Sequence, residues 1–390
     1  MQSVAENRAD TRTLKVLYLI DYFHRTGGTE RHLVHLLRNL PRNGFDCSVV
    51  AFDLGENALL DEVRAGGVPI VHLPVAREYT PNALWRAWQL HALIRRSRPD
   101  IVQTFHQKSD TYGAIVARLA GVRHIVSSKR DTGNLRRPWH FFLNRRLRFL
   151  FEKVIVVADA VAEAVVRSDR LDRARLVKIY NGVNAQQFTP PSREQAAAAK
   201  RCLGFGPDDF VVGMVAGFRP EKNHEMFFEG AARVREKIPN LKLLAVGGGP
   251  LLEKFRQRYA EQGDWVKFTG DARDVVSALH AMEVGCLLPS MNEGFSNAVV
   301  EKMATGLPVI VTDVGGNAEA VINGENGYVI RPLDTAEFAR ALTDLHADAG
   351  RRAAMGRRSR ELVEQKFSLE QMCRRHESLY RELCRHDPGA

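Results

Sequence analysis

Several features that would settle the class of this chain at a glance are missing. Its five cysteines, Cys47, Cys202, Cys286, Cys373 and Cys384, are scattered and odd in number among 390 residues. No disulfide framework and no zinc spacing can be drawn through them, which points to a reducing, cytoplasmic compartment. No apolar run approaches the ~20 residues that cross a bilayer, so the sequence offers no membrane span. Residues 1–13 are polar and acid-containing, without the apolar core of a signal peptide, and read as a flexible tail. No clustered pair of aspartates marks a metal site, and no nucleic-acid-binding signature is present. What remains is an ordinary globular composition, 45% hydrophobic, with 56 Lys and Arg against 46 Asp and Glu. The net charge of +10 favours anionic partners: nucleotide phosphates, an anionic membrane face or nucleic acid.

The length predicts two domains. Apolar, β-branched runs of strand length at 15–20, 46–52, 101–105, 124–128 and 154–157 alternate with helical patterns, for example at 29–40, 84–96 and 112–120. The plan repeats with strand-like runs at 211–216, 241–246, 266–269, 284–288 and 308–312. Buried parallel strands alternating with helices make doubly wound α/β domains. The turn signal Asn181-Gly182-Val183-Asn184 and the stiff Pro190-Pro191 place the junction near 180–191. The expected division is a tail at 1–13, a first domain at 14–185, a second at 186–366, and a closing segment at 367–390 that carries an amphipathic helix pattern.

Residues 289–319 read PSMNEGFSNAVVEKMATGLPVIVTDVGGNAE and set two carboxylates, Glu293 and Glu301, eight positions apart. Glu293 follows an apolar run at what reads as the carboxyl end of a strand. Gly294, Phe295, Ser296 and Asn297 then lead into a helix carrying Val299, Val300, Met303 and Ala304. Carboxylates accept from hydroxyls, and bare N–H groups at a helix N-terminus hold phosphate, so the pair suits a ligand carrying both.

The whole string, including Glu319, resembles the retaining glycosyltransferases of family 4, which use nucleotide-sugars and have the GT-B fold. That fold is two doubly wound Rossmann-like domains facing across a cleft, with a C-terminal helix crossing back to the first. The resemblance covers the chain from Leu14 to about Arg385. It implies that Glu293 touches the donor sugar and Glu301 the ribose, with Gly294, Phe295, Ser296 and Asn297 lining the donor site. It also implies no metal and no other cofactor, and same-face attack with the leaving phosphate helping to deprotonate the acceptor. The expected partners are a UDP-sugar, or next a GDP-sugar, and a sugar or lipid-linked sugar acceptor in cell-surface polysaccharide or glycolipid assembly. A GT-B sugar-nucleotide epimerase is the alternative, since it shares the fold and the donor pocket.

Other loops fit the same frame. Gly27-Gly28 follows the first strand and opens a helix, where paired glycines admit an anion; the resemblance turns Gly28 toward the diphosphate. Arg219 and Lys222, in AGFRPEKNH at 216–224, stand at the carboxyl end of a parallel strand, where they neutralise a departing diphosphate. The family's usual spacing would put the arginine at Gly217, whereas this chain offers Arg219. Gly248 lies in a GGGP turn that resembles a donor-site wall, and Arg273 in a loop that resembles the one reading the nucleobase. His106 matches a cleft-facing histidine that touches the donor sugar. Lys129 and Arg130, ending the next strand, match acceptor contacts.

The run 136–151, RRPWHFFLNRRLRFLF, interleaves five arginines with aromatic and aliphatic residues. By resemblance it is a core helix whose apolar face packs on the sheet. By composition it is a basic amphipathic helix suited to anionic lipid at the inner face of the cell membrane. Stacking on nucleic acid has no fold signature behind it.

Overall fold

The computed structural model describes residues 12–24, 27–76, 78, 80–133, 136–260, 263–272 and 274–385. Most of the expected tail therefore lies outside the described residues. The first domain runs β1 Leu14–Ile20, α1 Gly28–Asn39, β2 Phe45–Ala51, α2 Ala58–Ala65, β3 Ile70–His72, α3 Pro81–Ser97, β4 Ile101–Phe105, α4 Ala114–Leu119, β5 His124–Lys129, α5 Pro138–Leu147, β6 Lys153–Val156, α6 Asp159–Asp169 and β7 Leu176–Lys178. The second runs α7 Arg193–Cys202, β8 Phe210–Val215, α8 His224–Ala232, β9 Leu241–Val246, α9 Leu252–Tyr259, β10 Val266–Gly270, α10 Val275–His280, β11 Val284–Leu287, α11 Asn297–Ala304, β12 Val309–Thr312, α12 Asn317–Ala320 and β13 Gly327–Ile330. Helices α13 Thr335–Ala347, α14 Ala349–Leu362 and α15 Leu369–Arg385 close the chain.

Each domain is built on one parallel sheet, ordered β3-β2-β1-β4-β5-β6-β7 in the first and β10-β9-β8-β11-β12-β13 in the second. Strand β1 shows how the sequence does this. In LKVLYLI, the two-residue side-chain period sends Val16, Tyr18 and Ile20 to one face and Leu17 and Leu19 to the other. The first set packs with Leu33 and Leu37 of α1 and Tyr380 of α15. The second packs with Leu90 and Ile94 of α3 and Ala117 of α4. Both faces are covered, so the strand is apolar almost throughout.

The sheets join through the connection 179–192. Its Val183 N–H donates to Phe367 O at 2.8 Å, and Leu369 N–H returns to Val183 O at 3.0 Å. The second crossing thus pairs with the first, and α15 continues onto the first domain. Its buried stripe, Met372, Cys373, His376, Leu379, Tyr380, Leu383 and Cys384, recurs at helical spacing. Tyr380 is anchored further by a hydrogen bond from its hydroxyl to Gln103 at 2.5 Å.

The segment 136–151 departs from the core-helix expectation. It breaks into α5 and a 3-10 turn, Arg148–Leu150, and within α5 only Asn144 is buried. Trp139, Phe142 and Phe149 are exposed, whereas Leu150 and Phe151 are buried in the core and Leu147 packs against it, so only the end of the run meets the core. Asn144 is drawn inward instead by hydrogen bonds to Gln107 and Asp169.

Candidate active site

In an open parallel sheet, ligands bind beyond the carboxyl ends of the strands where the order reverses. Here those points are β1/β4 in the first domain and β8/β11 in the second. The loops leaving these strands carry Gly28, His106, Arg219, Lys222 and Glu293, and they face one another. A Cβ placed on Gly28 would stand 3.8 Å from Asn297 Nδ2, and one on Gly294 would strike Arg130 O at 2.2 Å. Asn181, at the hinge, donates to Asn297 Oδ1 at 2.7 Å and to Phe295 O at 3.0 Å. The approach is close enough that only glycine fits at 294.

On the second domain, Lys222 Nζ bonds Glu293 Oε2 at 2.6 Å, with both side chains largely buried at the mouth of α11. Gly315, at φ +63°, brings its backbone so near Glu293 O that a Cβ would lie 2.0 Å from it, which props the glutamate loop from behind. Glu301 sits on the second turn of α11. Burial raises its pKa above the ordinary carboxylate value, and Arg31 and Lys302 offset part of that rise. Arg31 Nη1 reaches it from α1 at 4.0 Å. Lys302 lies fully buried on the next position, donates to Ala298 O at 3.0 Å, and is pushed down to about 8 by burial.

On the first domain, a cavity of about 240 Å³ is lined by Asp21, Tyr22, His106, Arg130, Arg136 and His140, among others. His106 holds a positive φ of 75°, costly for a β-substituted residue and concentrated at functional sites. Its ring stacks on Tyr22 with centroids 4.4 Å apart, and burial lowers its pKa to about 4. The neutral ring keeps Nδ1 buried and unpartnered, ready for a ligand hydroxyl. Asp21, at the end of β1, accepts from the N–H groups of Lys108 and Ser109 and is pushed up to about 7 by burial.

Arg130 and Lys129, adjacent in sequence, behave differently. Arg130 bonds Asn181 through Nη2, leaves Nη1 buried and unpartnered, and is lowered to about 9 by burial. Lys129 is not a free cation at the acceptor side. Its Nζ is buried 2.7 Å from Asp110 and 3.8 Å from Asp169, and Asp110 also takes the hydroxyls of Thr104 and Ser127. The charge is spent inside the domain.

Other expectations are redrawn in the same way. The Phe295 ring is buried at the hinge against Tyr180 and Phe367, so only its backbone borders the cleft. Ser296 stands at the N-cap of α11 without a side-chain cap bond, which leaves the helix N–H groups open. Arg219 is exposed beside the Gly217 backbone, at the start of the 3-10 turn that holds Lys222. Gly248 accepts from Phe218 N–H and donates to Asp271, fixing the GGGP turn against the β8 loop. Arg273 lies outside the described residues. Glu319 is a clasp between domains, accepting from Asp159 N–H, Lys178 and Tyr180.

Sequence reasoning gave no role to Arg31, Asp21 or Lys302. Arg31 had a signal, since it stands three residues after Gly28 on the first turn of a cleft-facing helix.

Residues 209–348 match the family model described as glycosyl transferases group 1, and residues 26–187 match that of glycosyltransferase family 4. The UDP-Gal:alpha-D-GlcNAc-diphosphoundecaprenol alpha-1,3-galactosyltransferase of Escherichia coli is 28% identical over 337 residues, 82% of this chain and 85% of that protein. The putative glycosyltransferase EpsD of Bacillus subtilis is 34% identical over 190 residues, 47% of this chain and 49% of its own. Among solved structures, Anabaena HepE in complex with UDP superposes with a TM-score of 0.84 at 20% identity, covering 95% of this chain and all of that one. That likeness shows the fold, GT-B, with two parallel sheets flanking a cleft.

Proposed function

The chain belongs to glycosyltransferase family 4, among the group 1 glycosyl transferases, and from that membership we propose that it moves a hexose from a UDP-sugar to an acceptor hydroxyl, with retention and without a metal ion. The carrying observation is the Lys222–Glu293 pair at the mouth of α11, facing Gly28 across the cleft. Glu293 accepts from the sugar hydroxyls, Glu301 from the ribose, and Lys222, Arg219 and the open N–H groups of α11 hold the diphosphate. The acceptor oxygen bonds to the anomeric carbon as the bond to the diphosphate oxygen breaks on the same face. The acceptor proton passes to the leaving phosphate. No side chain is needed as nucleophile, and the positive groups stabilise the leaving charge that a divalent ion would otherwise stabilise. His106 contacts the sugar through its neutral ring, and Arg130 borders the acceptor.

UDP is favoured over GDP because HepE has been seen with UDP and with UDP-glucose. A sugar or lipid-linked acceptor, in polysaccharide or glycolipid assembly, is favoured by the Escherichia coli relative and by the capsular polysaccharide glycosyltransferase CapM of Staphylococcus aureus, 23% identical over 309 residues. Such donors favour a cytoplasmic location, which suits five cysteines that form no disulfide. Among the described residues no helix is long and apolar enough to cross a membrane.

A panel of UDP-, GDP-, dTDP- and ADP-sugars, read by thermal shift and product formation, tests this reading. A UDP-sugar should stabilise the protein most and give a glycosylated product. Conversion of the donor alone into a second nucleotide-sugar or free epimerised sugar would make the protein an epimerase and end the proposal.

A further inference from the structure

Among the described residues, exposed large hydrophobic side chains concentrate on one part of the first domain: Leu84, Trp85 and Trp88 of α3, Leu119 of α4, Phe142 of α5 and Phe149 just after it. Among its described residues the second domain exposes only Met291 and Leu333 of this kind. Helices α3, α4 and α5 lead into β4, β5 and β6, in the crossovers β3 to β4, β4 to β5 and β5 to β6, which all advance in one direction across the sheet. Right-handed crossovers put all three on the same face, opposite α1, α2 and α15. They touch one another there, α3 against α4 and α4 against the Arg148–Leu150 turn. At about 1.5 Å per residue, α3 alone extends roughly 25 Å, so the three form a broad platform.

The charge on this platform is of one sign. Helices α3, α4, α5 and the 148–150 turn hold seven arginines and neither aspartate nor glutamate. Arg95, Arg96, Arg146 and Arg148 are exposed, and the Arg146 guanidinium lies over the Phe142 ring at 5.2 Å. Trp85 and Trp88 stack with centroids 5.0 Å apart and their indoles turned outward. Amphipathic rings at headgroup depth with arginines reaching phosphate are what an anionic lipid surface selects. A second copy would set this all-arginine face against itself under two-fold symmetry, which the like charges oppose.

We infer that the α3–α4–α5 face docks on an anionic phospholipid surface. The footprint is wider than the 136–151 segment, because α3 supplies its most exposed tryptophans. Helix α5 also carries His140, which lines the first-domain cavity from its first turn. Docking therefore holds that cavity beside the lipid surface. The inference stands apart from the sugar chemistry and is read by binding, so its failure and the failure of the transferase reading are separate results.

The test uses the full chain with vesicles of phosphatidylcholine containing 0–40% phosphatidylglycerol. Trp85, Trp88 and Trp139 are exposed on this face while Trp265 is buried, so tryptophan emission reports docking directly. The expected result is a blue shift and co-sedimentation that rise with phosphatidylglycerol and fall with salt as the Debye length shrinks below ~10 Å. Changing Arg95, Arg96, Arg146 and Arg148 to Gln should lower the partition coefficient on the order of 100- to 1000-fold. Trp85→Ser with Trp88→Ser should weaken binding with folding intact, since both rings are exposed. Absence of wild-type binding would overturn the inference, as would wild-type affinity in the four-glutamine variant. A wild-type dimer dissolved by the two serine changes would also overturn it, making a second copy the occupant.

Discussion

Arg31 Nη1 stands 4.0 Å from Glu301 Oε1, so a side chain on the first turn of α1 meets one on the second turn of α11 across the cleft. The contact is long and Arg31 is half exposed, which makes it a weak contributor to stability. Its effect falls on the carboxyl. Burial raises the Glu301 pKa, and Arg31 is the first of the two charges that pull it back. If Glu301 holds the ribose as proposed, its ionised form is the stronger acceptor for the hydroxyls, so donor binding should weaken as pH falls through this raised pKa. Arg31→Gln removes the offset, and the acid limb of kcat/KM for the donor should move to higher pH. An unmoved limb, or one moved to lower pH, would show that Arg31 does not act on Glu301.

Lys222 and Glu293 act as a unit at 2.6 Å. Removing either loses a preorganised group and leaves its partner unpaired, so Lys222→Ala and Glu293→Ala should each lower kcat by roughly two orders of magnitude. Lys222→Ala should be the worse with every donor, because the diphosphate is common to all. The double variant should be scarcely worse than the single lysine variant, since contacting residues are non-additive. Fully additive losses in steady-state kinetics would show that the two do not cooperate.

Gly294→Ala tests how tightly the domains meet. The added Cβ would collide with Arg130 O, and relieving that collision displaces the Glu293 loop from the first domain. A displacement near 1 Å costs up to about 100-fold in rate. We expect kcat/KM to fall by at least tenfold while the melting temperature changes little. Wild-type activity would mean the cleft works in a more open arrangement.

Lys129→Ala separates structure from acceptor binding. Stripping one partner from this buried cluster leaves Asp110 and Asp169 without it, a change that costs about 3–5 kcal/mol. Urea unfolding should show that loss. Native stability with a raised acceptor KM would return Lys129 to the acceptor site.

The parts of this fold that were legible in sequence are those with two buried faces. Ile101–Phe105 and Leu241–Val246 are legible to the residue, because short, mostly apolar runs bounded by turn signals leave little alternative to a central parallel strand. Strands β3, β7 and β13 escaped, being three or four residues long and only half-buried, too short for a period to show. Lys222, Glu293 and Glu301 were legible because strand ends and helix starts place them locally. Arg31, Asp21 and Phe295 were not, since their surroundings are set by distant parts of the chain, as Asp21's bonds to Lys108 and Ser109 show. In 136–151 the composition was plain but did not decide between the two faces, for within α5 the residue that turns inward is the polar Asn144, and the apolar Leu150 and Phe151 turn inward only after the helix ends.

The central claim is that this cleft moves a sugar with retention, using its own cations in place of a metal. The direct measurement is NMR of the product formed from a UDP-sugar and acceptor in excess EDTA, following the anomeric proton from donor to product. The account predicts a new glycosidic linkage with the donor's anomeric configuration, formed at an undiminished rate and lost in Lys222→Ala. An inverted product, or activity abolished by EDTA and restored by magnesium or manganese, would contradict it.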